Sequence, residues 1–315
     1  MLPISFQTLS AAILQILLMG ACGYMLFKKR LIDEAGLDLL TRLLMNFFLP
    51  IFMFYQLTQR FRFSVYPDWW LYPVLSFIIT AVALVLSRLV LALSQKVKCP
   101  KEFISLCVFQ NSGYIPLILV ATLFEGQQAE DLFVYIFLFL IGFNLTMWSL
   151  GTWFVASQKT SRFQIREFFN PPLIALLIAF GLIALGWQRF VPPLILKPMK
   201  LFSQCVFPLA MIMVGGNLGR IQVNDIRPKE IIPLVLTKLI LLPLCGLGII
   251  LLFRLQGPMA FILILETAVP SAISLSIISR HYQVEECLIN QGLLFTHLAS
   301  IVTIPTFLSI YNLLQ

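Results

Sequence analysis

Residues 107–117 read Cys107-Val108-Phe109-Gln110-Asn111-Ser112-Gly113-Tyr114-Ile115-Pro116-Leu117. Two amides, a hydroxyl, a glycine and a proline interrupt an otherwise apolar run from 102 to 124. A spanning helix needs about 20 mostly apolar residues, and this run has the length. Its polar residues nevertheless fall at the middle, where such groups are costly without partners. Proline removes a backbone donor and crowds the preceding turn, which frees a carbonyl. A break of this kind survives in a bilayer only where protein or a wet cavity covers it. A second stretch has the same character: Leu265-Glu266-Thr267-Ala268-Val269-Pro270-Ser271-Ala272, inside the apolar run 258–279.

The composition around these breaks fixes the class. Of 315 residues, 59% are hydrophobic and only 11% charged, against roughly 25% charged in a soluble domain. So few charges cannot cover a water-facing surface. Apolar runs near 7–27, 38–58, 69–93, 102–124 and 131–156 precede a polar stretch, Ser157 to Asn170. Runs near 171–188, 199–219, 231–253, 258–279 and 288–312 follow it. The expectation is an all-α membrane protein of about ten transmembrane helices. No soluble catalytic domain fits between them.

The net charge of +8 lies in short loop clusters, with no basic stripe of the kind nucleic acid needs. Alternate loops carry Lys28, Lys29, Arg30; Lys96, Lys98, Lys101; Lys159, Arg162, Arg166; Arg220, Arg227, Lys229; and Arg280. The other set carries Arg60, Arg62, Arg189, Lys197, Lys200 and Arg254. Lys and Arg concentrate in cytoplasmic loops, so the first set is expected inside. Both termini are then extracytoplasmic, in a multi-pass protein of the cell inner (cytoplasmic) membrane. No cleavable leader is read at the N-terminus, because the basic cluster follows the first apolar run. The six cysteines form no Cys-x-x-Cys pair and are read as small apolar side chains between helices.

Five spans on each side of the polar stretch must run in opposite senses. That is the geometry of an inverted repeat, with halves at 1–156 and 171–315 joined by a short cytoplasmic linker, 157–170. Asn46-Phe47-Phe48-Leu49-Pro50-Ile51-Phe52-Met53 and Gln204-Cys205-Val206-Phe207-Pro208-Leu209-Ala210-Met211 repeat amide, proline and methionine at equal offsets. Asn46 and Gln204 are accordingly expected to face a central cavity from the two halves. Broken helices at corresponding positions are the best sequence pointer to a transporter's substrate site. The exposed amides of a half-helix N-terminus also suit an anion. The alternative is a pair of packed proline kinks.

The chain resembles the auxin efflux carrier family, which includes plant auxin exporters and many bacterial carriers of small organic acids. The resemblance rests on Gln110 to Leu117, Asn170-Pro171-Pro172, Pro208 to Gly219, Lys238-Leu239 to Pro243, and Pro270-Ser271-Ala272. It implies the fold shared with bile-acid/sodium symporters, in which the fourth and ninth helices cross where they break. It implies that Asn111 helps hold a substrate carboxylate and that Pro116 and Pro270 mark the crossover. Ser157 to Asn170 is far too short for the regulatory loop of the plant carriers, so a prokaryotic-type carrier fits better.

The resulting expectation is a secondary carrier for a small organic anion, a mono- or dicarboxylate, coupled to H+ or alternatively to Na+. Gln110, Asn111, Ser112, Gly113, Thr267, Ser271, Asn46 and Gln204 would line the substrate site. Glu266, on the order of 12 Å deep at 1.5 Å per residue, is either a proton acceptor for coupling or a structurally paired carboxylate. Lys238 could attract an anion, pair with an acid or snorkel to the interface. His297 has no second ligand at metal spacing and reads as a satisfied core histidine. Asn144 reads as interhelical glue, and Gly215-Gly216-Asn217-Leu218-Gly219 as a site of close helix approach. No cofactor and no metal site is expected. The lipid bilayer is the surrounding partner, and a homodimer is compatible with the sequence. An intramembrane enzyme is disfavoured because no Gly-x-Ser-x-Gly elbow or paired-carboxylate signature occurs. A channel is disfavoured because filter motifs are missing.

Overall fold

Among the described residues, seven helices are long and apolar enough to cross a membrane: α1 (Phe6–Lys28), α2 (Glu34–Arg60), α3 (Leu71–Leu93), α6 (Gly126–Gly151), α8 (Pro193–Arg220), α9 (Pro228–Phe253) and α12 (Ile289–Leu314). These come from a computed structural model describing residues 6–94, 97–151, 154, 170–221, 226–281 and 288–314. The expected fourth and ninth spans each appear as two short helices: α4 (Pro100–Val108) with α5 (Ile115–Leu123), and α10 (Gly257–Ala268) with α11 (Ser274–His281). The sixth span is a shorter apolar helix, α7 (Pro171–Ala184). The all-α membrane class therefore stands, with both interruptions where the sequence placed them. Residues 157–169 of the expected linker, and with them Lys159, Arg162 and Arg166, lie outside the described residues, as do Lys96 and Cys287.

Local chemistry explains the helix ends and irregularities. Asp33 caps α2 by accepting from the Gly36 amide at 2.7 Å. Asn170 caps α7 by accepting from Leu173 at 2.9 Å, with Pro171 at the first helical position. Two widened π-helical turns lie just before prolines: Leu44–Phe48 before Pro50, and Thr237–Leu241 before Pro243. Each proline lacks an amide and its ring crowds the carbonyl four residues back, so the preceding turn opens. In α8, Pro208 likewise leaves the Gln204 carbonyl without its donor, and the helix breaks at Cys205.

Helix pairing divides the described spans into two groups. α1 packs along α8, and α2 packs against α7 and α8. In the other group α3 packs against α6 and α4, while α9 packs against α10 and α12. The α1–α8 contact is backbone to backbone: a Cβ on Gly215 would overlap the Gly20 carbonyl, and one on Gly23 would overlap the Ile212 backbone. The glycine run was read as a site of close approach, and it is one. Between the groups, Arg60 of α2 forms an ion pair with Glu130 of α6. The Tyr66 phenol donates to Asp131 at 2.7 Å; burial and that bond raise its pKa above the ordinary value.

The cysteines need a correction. Cys22, Cys107, Cys205 and Cys245 are free thiols, in keeping with packing roles, but Cys99 is disulfide-bonded. Sequence spacing alone had offered no pairing.

Candidate functional site

The two interruptions meet. Gln110 and Ser271 form an isolated antiparallel bridge. The Asn111 amide donates to the Pro270 carbonyl at 2.8 Å, and the Ala272 amide to the Phe109 carbonyl at 2.9 Å. The Ser271 hydroxyl adds a bond to the Leu106 carbonyl at 2.6 Å. Backbone groups freed by each break are thus satisfied by the other, which is what a non-aqueous interior demands. Pro270 ends α10 by holding Val269 in extended backbone (φ −76°, ψ 152°). Pro116 instead sits in the first turn of α5, where a missing amide costs nothing. Four half-helix ends therefore converge: the C-termini of α4 and α10, and the N-termini of α5 and α11.

Two cavities flank this crossing, both between the helix groups. A polar one of about 60 Å³ is bordered by Gln110, Asn111, Ser112, Gly113 and Tyr114, by Asn144 and Trp148 of α6, by Asn170, and by Ala272 and Ser274. Met45, Leu49 and Met53 of α2 close it. The other, of about 230 Å³, lies among α1, α5, α8 and α12; its polar border comes from Tyr24, His297 and Ser300. Among the described residues, no Asp, Glu, Lys or Arg borders either cavity.

Asn111 is the pivot. Its Nδ2 lies 3.3 Å from His297 Nε2, and His297 Nδ1 lies 2.8 Å from the Leu293 carbonyl. A carbonyl only accepts, so Nδ1 carries the hydrogen. Nε2 then holds a lone pair and accepts from the Asn111 amide. The histidine read as core packing thus orients the Asn111 amide. Tyr114, the N-cap of α5, gives that helix no side-chain cap, leaving its first amides and positive dipole end beside Asn111.

The remaining expected residues divide. Gln110, Ser112 and Gly113 border the polar cavity with Asn111. Thr267 and Ser271 do not: Thr267 bonds the Leu263 carbonyl of its own helix at 2.8 Å, and Ser271 is fully buried on Leu106. Asn46 and Gln204 are exposed and border neither of these cavities. The π-helical turn around Asn46 and the break after Gln204 shift the helical phase on which that expectation relied. Lys238 and Glu266 are both fully buried behind the crossing. Lys238 Nζ donates to the Cys107 carbonyl at 3.1 Å. Glu266 stands within electrostatic reach of Lys238 and Ser112, although its oxygens make no hydrogen bond.

Two further carboxylates hold helix ends together. Glu102 of α4 accepts from the Leu288 and Ile289 amides at 2.6 and 3.0 Å, at the start of α12. Glu230 of α9 accepts from the Lys98 and Cys99 amides at 3.1 and 3.4 Å, at the start of α4. The repeated Pro-Lys-Glu opening, at 100–102 and 228–230, was the available signal: a buried acid in a first turn beside another helix start.

With this geometry in view, a family model described as Membrane transport protein matches residues 8–162 and 156–308. The chain belongs to that family. The resemblance to auxin efflux carriers is borne out, and membership extends through nearly the whole sequence. Among relatives, Protein PIN-LIKES 7 and Protein PIN-LIKES 5 of Arabidopsis thaliana are each 24% identical over 161 residues, covering 47% of this chain and 41% of theirs. An uncharacterised transporter of Schizosaccharomyces pombe is 29% identical over 111 residues, covering 35% of this chain and 25% of its own. The matches thus span well under half the length of these relatives.

Proposed function

We propose that this member of the family is a secondary carrier for a small organic anion, bound through a carboxylate at the crossing. The observation carrying this reading is Asn111. Its amide is fixed by His297 at the uncapped start of α5, on the border of a cavity whose described lining carries no fixed charge. Neutral donors and a helix N-terminus suit an anion that must also leave again, whereas a lysine there would hold it. Gln110, Ser112 and the amide of Asn144 complete a neutral polar lining.

Alternating access would come from the α3–α6 and α9–α12 group moving against α1, α2, α7 and α8, since both cavities lie on that boundary. The helix pairings support two inverted halves, 1–156 and 171–315. α1 with α8 in one sense corresponds to α7 with α2 in the other, and α3 with α6 corresponds to α9 with α12. H+ is the favoured coupling ion over Na+. The Lys238 ammonium already occupies a freed carbonyl at the C-terminal end of a half-helix, where a coupling metal ion would bind.

Counterflow in proteoliposomes tests the reading. Radiolabelled malonate, malate and indole-3-acetate are each offered to vesicles preloaded with the same unlabelled acid. A carrier gives saturable uptake accelerated by internal substrate for at least one of them. Flux linear in concentration would indicate a pore, and flux equal to that of protein-free vesicles would sink the reading.

A further inference from the structure

The polar cavity poses an electrostatic problem. A carboxylate entering it brings a negative charge, and none of the described residues that border it supplies a positive one. Burying an uncompensated carboxylate is costly enough that a site normally provides a partner or a proton. Three buried charged groups on the helices packed against α12 are engaged elsewhere, and a fourth, Glu266, makes no hydrogen bond. Glu102 holds the Leu288 and Ile289 amides, and Glu230 the Lys98 and Cys99 amides. Lys238 bonds the Cys107 carbonyl, with Glu266 near it. On α1, Lys28 lies over the Tyr24 ring, and Tyr24 is the other titratable group bordering the cavity that His297 borders. Among the described residues His297 is the base in direct contact with Asn111, while Glu266 stands against Ser112.

Its hydrogen bonds define what a proton would do. With Nδ1–H committed to Leu293, Nε2 can hold a hydrogen only as imidazolium. A hydrogen at Nε2 would then point at the Asn111 amide N–H, 3.3 Å away. The conflict is relieved by turning the Asn111 amide over, which places Oδ1 on the imidazolium.

We propose that His297 is the proton site linked to anion binding: as a carboxylate docks, His297 takes one proton from water at Nε2, and the Asn111 amide turns to present its N–H groups to the anion. In the empty site, Asn111 has one N–H engaged by His297. In the loaded site, Oδ1 accepts from the imidazolium and both N–H groups are free for the carboxylate. One anion and one proton enter together, so the net charge around Asn111 is unchanged. This rests on the anion site proposed above and adds to it the residue that binds the proton, a role the sequence had offered to Glu266. His297 acts through Asn111 and is a positioning residue.

The test uses full-length protein in nanodiscs and the equilibrium binding of radiolabelled malonate, malate, benzoate and indole-3-acetate from pH 5.5 to 8.5. Wild-type affinity for the acid that binds is expected to weaken with rising pH by up to about tenfold per unit, the slope for one co-bound proton. His297→Gln keeps a hydrogen-bonding amide but cannot ionise, and its affinity should be flat across the range. The same slope in both proteins would overturn the assignment to His297 while leaving the anion site intact. A flat wild-type profile would overturn proton linkage altogether. Failure of every acid to bind wild type at any pH would remove the anion site and this inference with it. Calorimetry on wild type alone, in buffers of different ionisation enthalpy, guards against a variant that does not fold. About one proton taken up per anion is expected, and none would contradict the proposal.

Discussion

The break in the fourth span and the break in the ninth share one bridge but use their polar residues in opposite ways. At the fourth, Gln110, Asn111, Ser112 and Gly113 border a cavity, and Asn111 is oriented by a histidine from another helix. At the ninth, Ser271 is bonded to Leu106, Thr267 to its own helix, and Glu266 is sealed behind the crossing with Lys238. Among the described residues, only Ala272 and Ser274 from that side reach the polar cavity. The fourth span lines the polar cavity, and the ninth braces the break. Symmetry of sequence position therefore did not carry over into symmetry of role.

That contrast can be broken from the brace side first. Lys238→Met should have the largest effect on stability, about 3–5 kcal/mol, because it strands a buried carboxylate and a buried carbonyl. The double variant Lys238→Met/Glu266→Gln should recover part of that loss in thermal melts of detergent-solubilised protein. Equal melting of the single and double variants would show that the two groups do not interact. Glu230→Ala should cost less, about 1–3 kcal/mol, since two amides at the start of α4 lose their acceptor. Protection of α4 amides in hydrogen exchange would fall with it; unchanged exchange would mean another group caps that helix. Smallest of all, Ser271→Ala should cost about 1 kcal/mol and leave anion affinity within roughly twofold, consistent with its burial on Leu106. A large affinity loss in Ser271→Ala would place the ninth break in the binding surface after all.

Much of this was legible in the residues. Pro116, Pro270 and the helix-poor run Gln110 to Gly113 are local signals, because proline geometry and glycine entropy act within a turn. Both breaks therefore appeared where expected. Which break faces a cavity is a tertiary matter, and Thr267 and Ser271 satisfied themselves on neighbouring carbonyls that no spacing could reveal. Asn46 was misplaced for a different reason. Counting from Pro50 assumed a regular helix, but the π-helical turn at Leu44–Phe48 inserts an extra residue and rotates what precedes it by roughly 100°. His297 looked isolated because its partner lies 186 residues away. The Cys99 disulfide likewise left no mark on the local sequence.

Asn111 carries the central claim, and equilibrium binding of radiolabelled carboxylates to wild type, Asn111→Ala and Ser271→Ala at one pH tests it most directly. Asn111→Ala should weaken binding by about tenfold or more, the loss of a hydrogen bond to a charged group, while melting close to wild type. Ser271→Ala should show the reverse, lower melting with near-native affinity. Wild-type affinity in a folded Asn111→Ala protein would contradict the account.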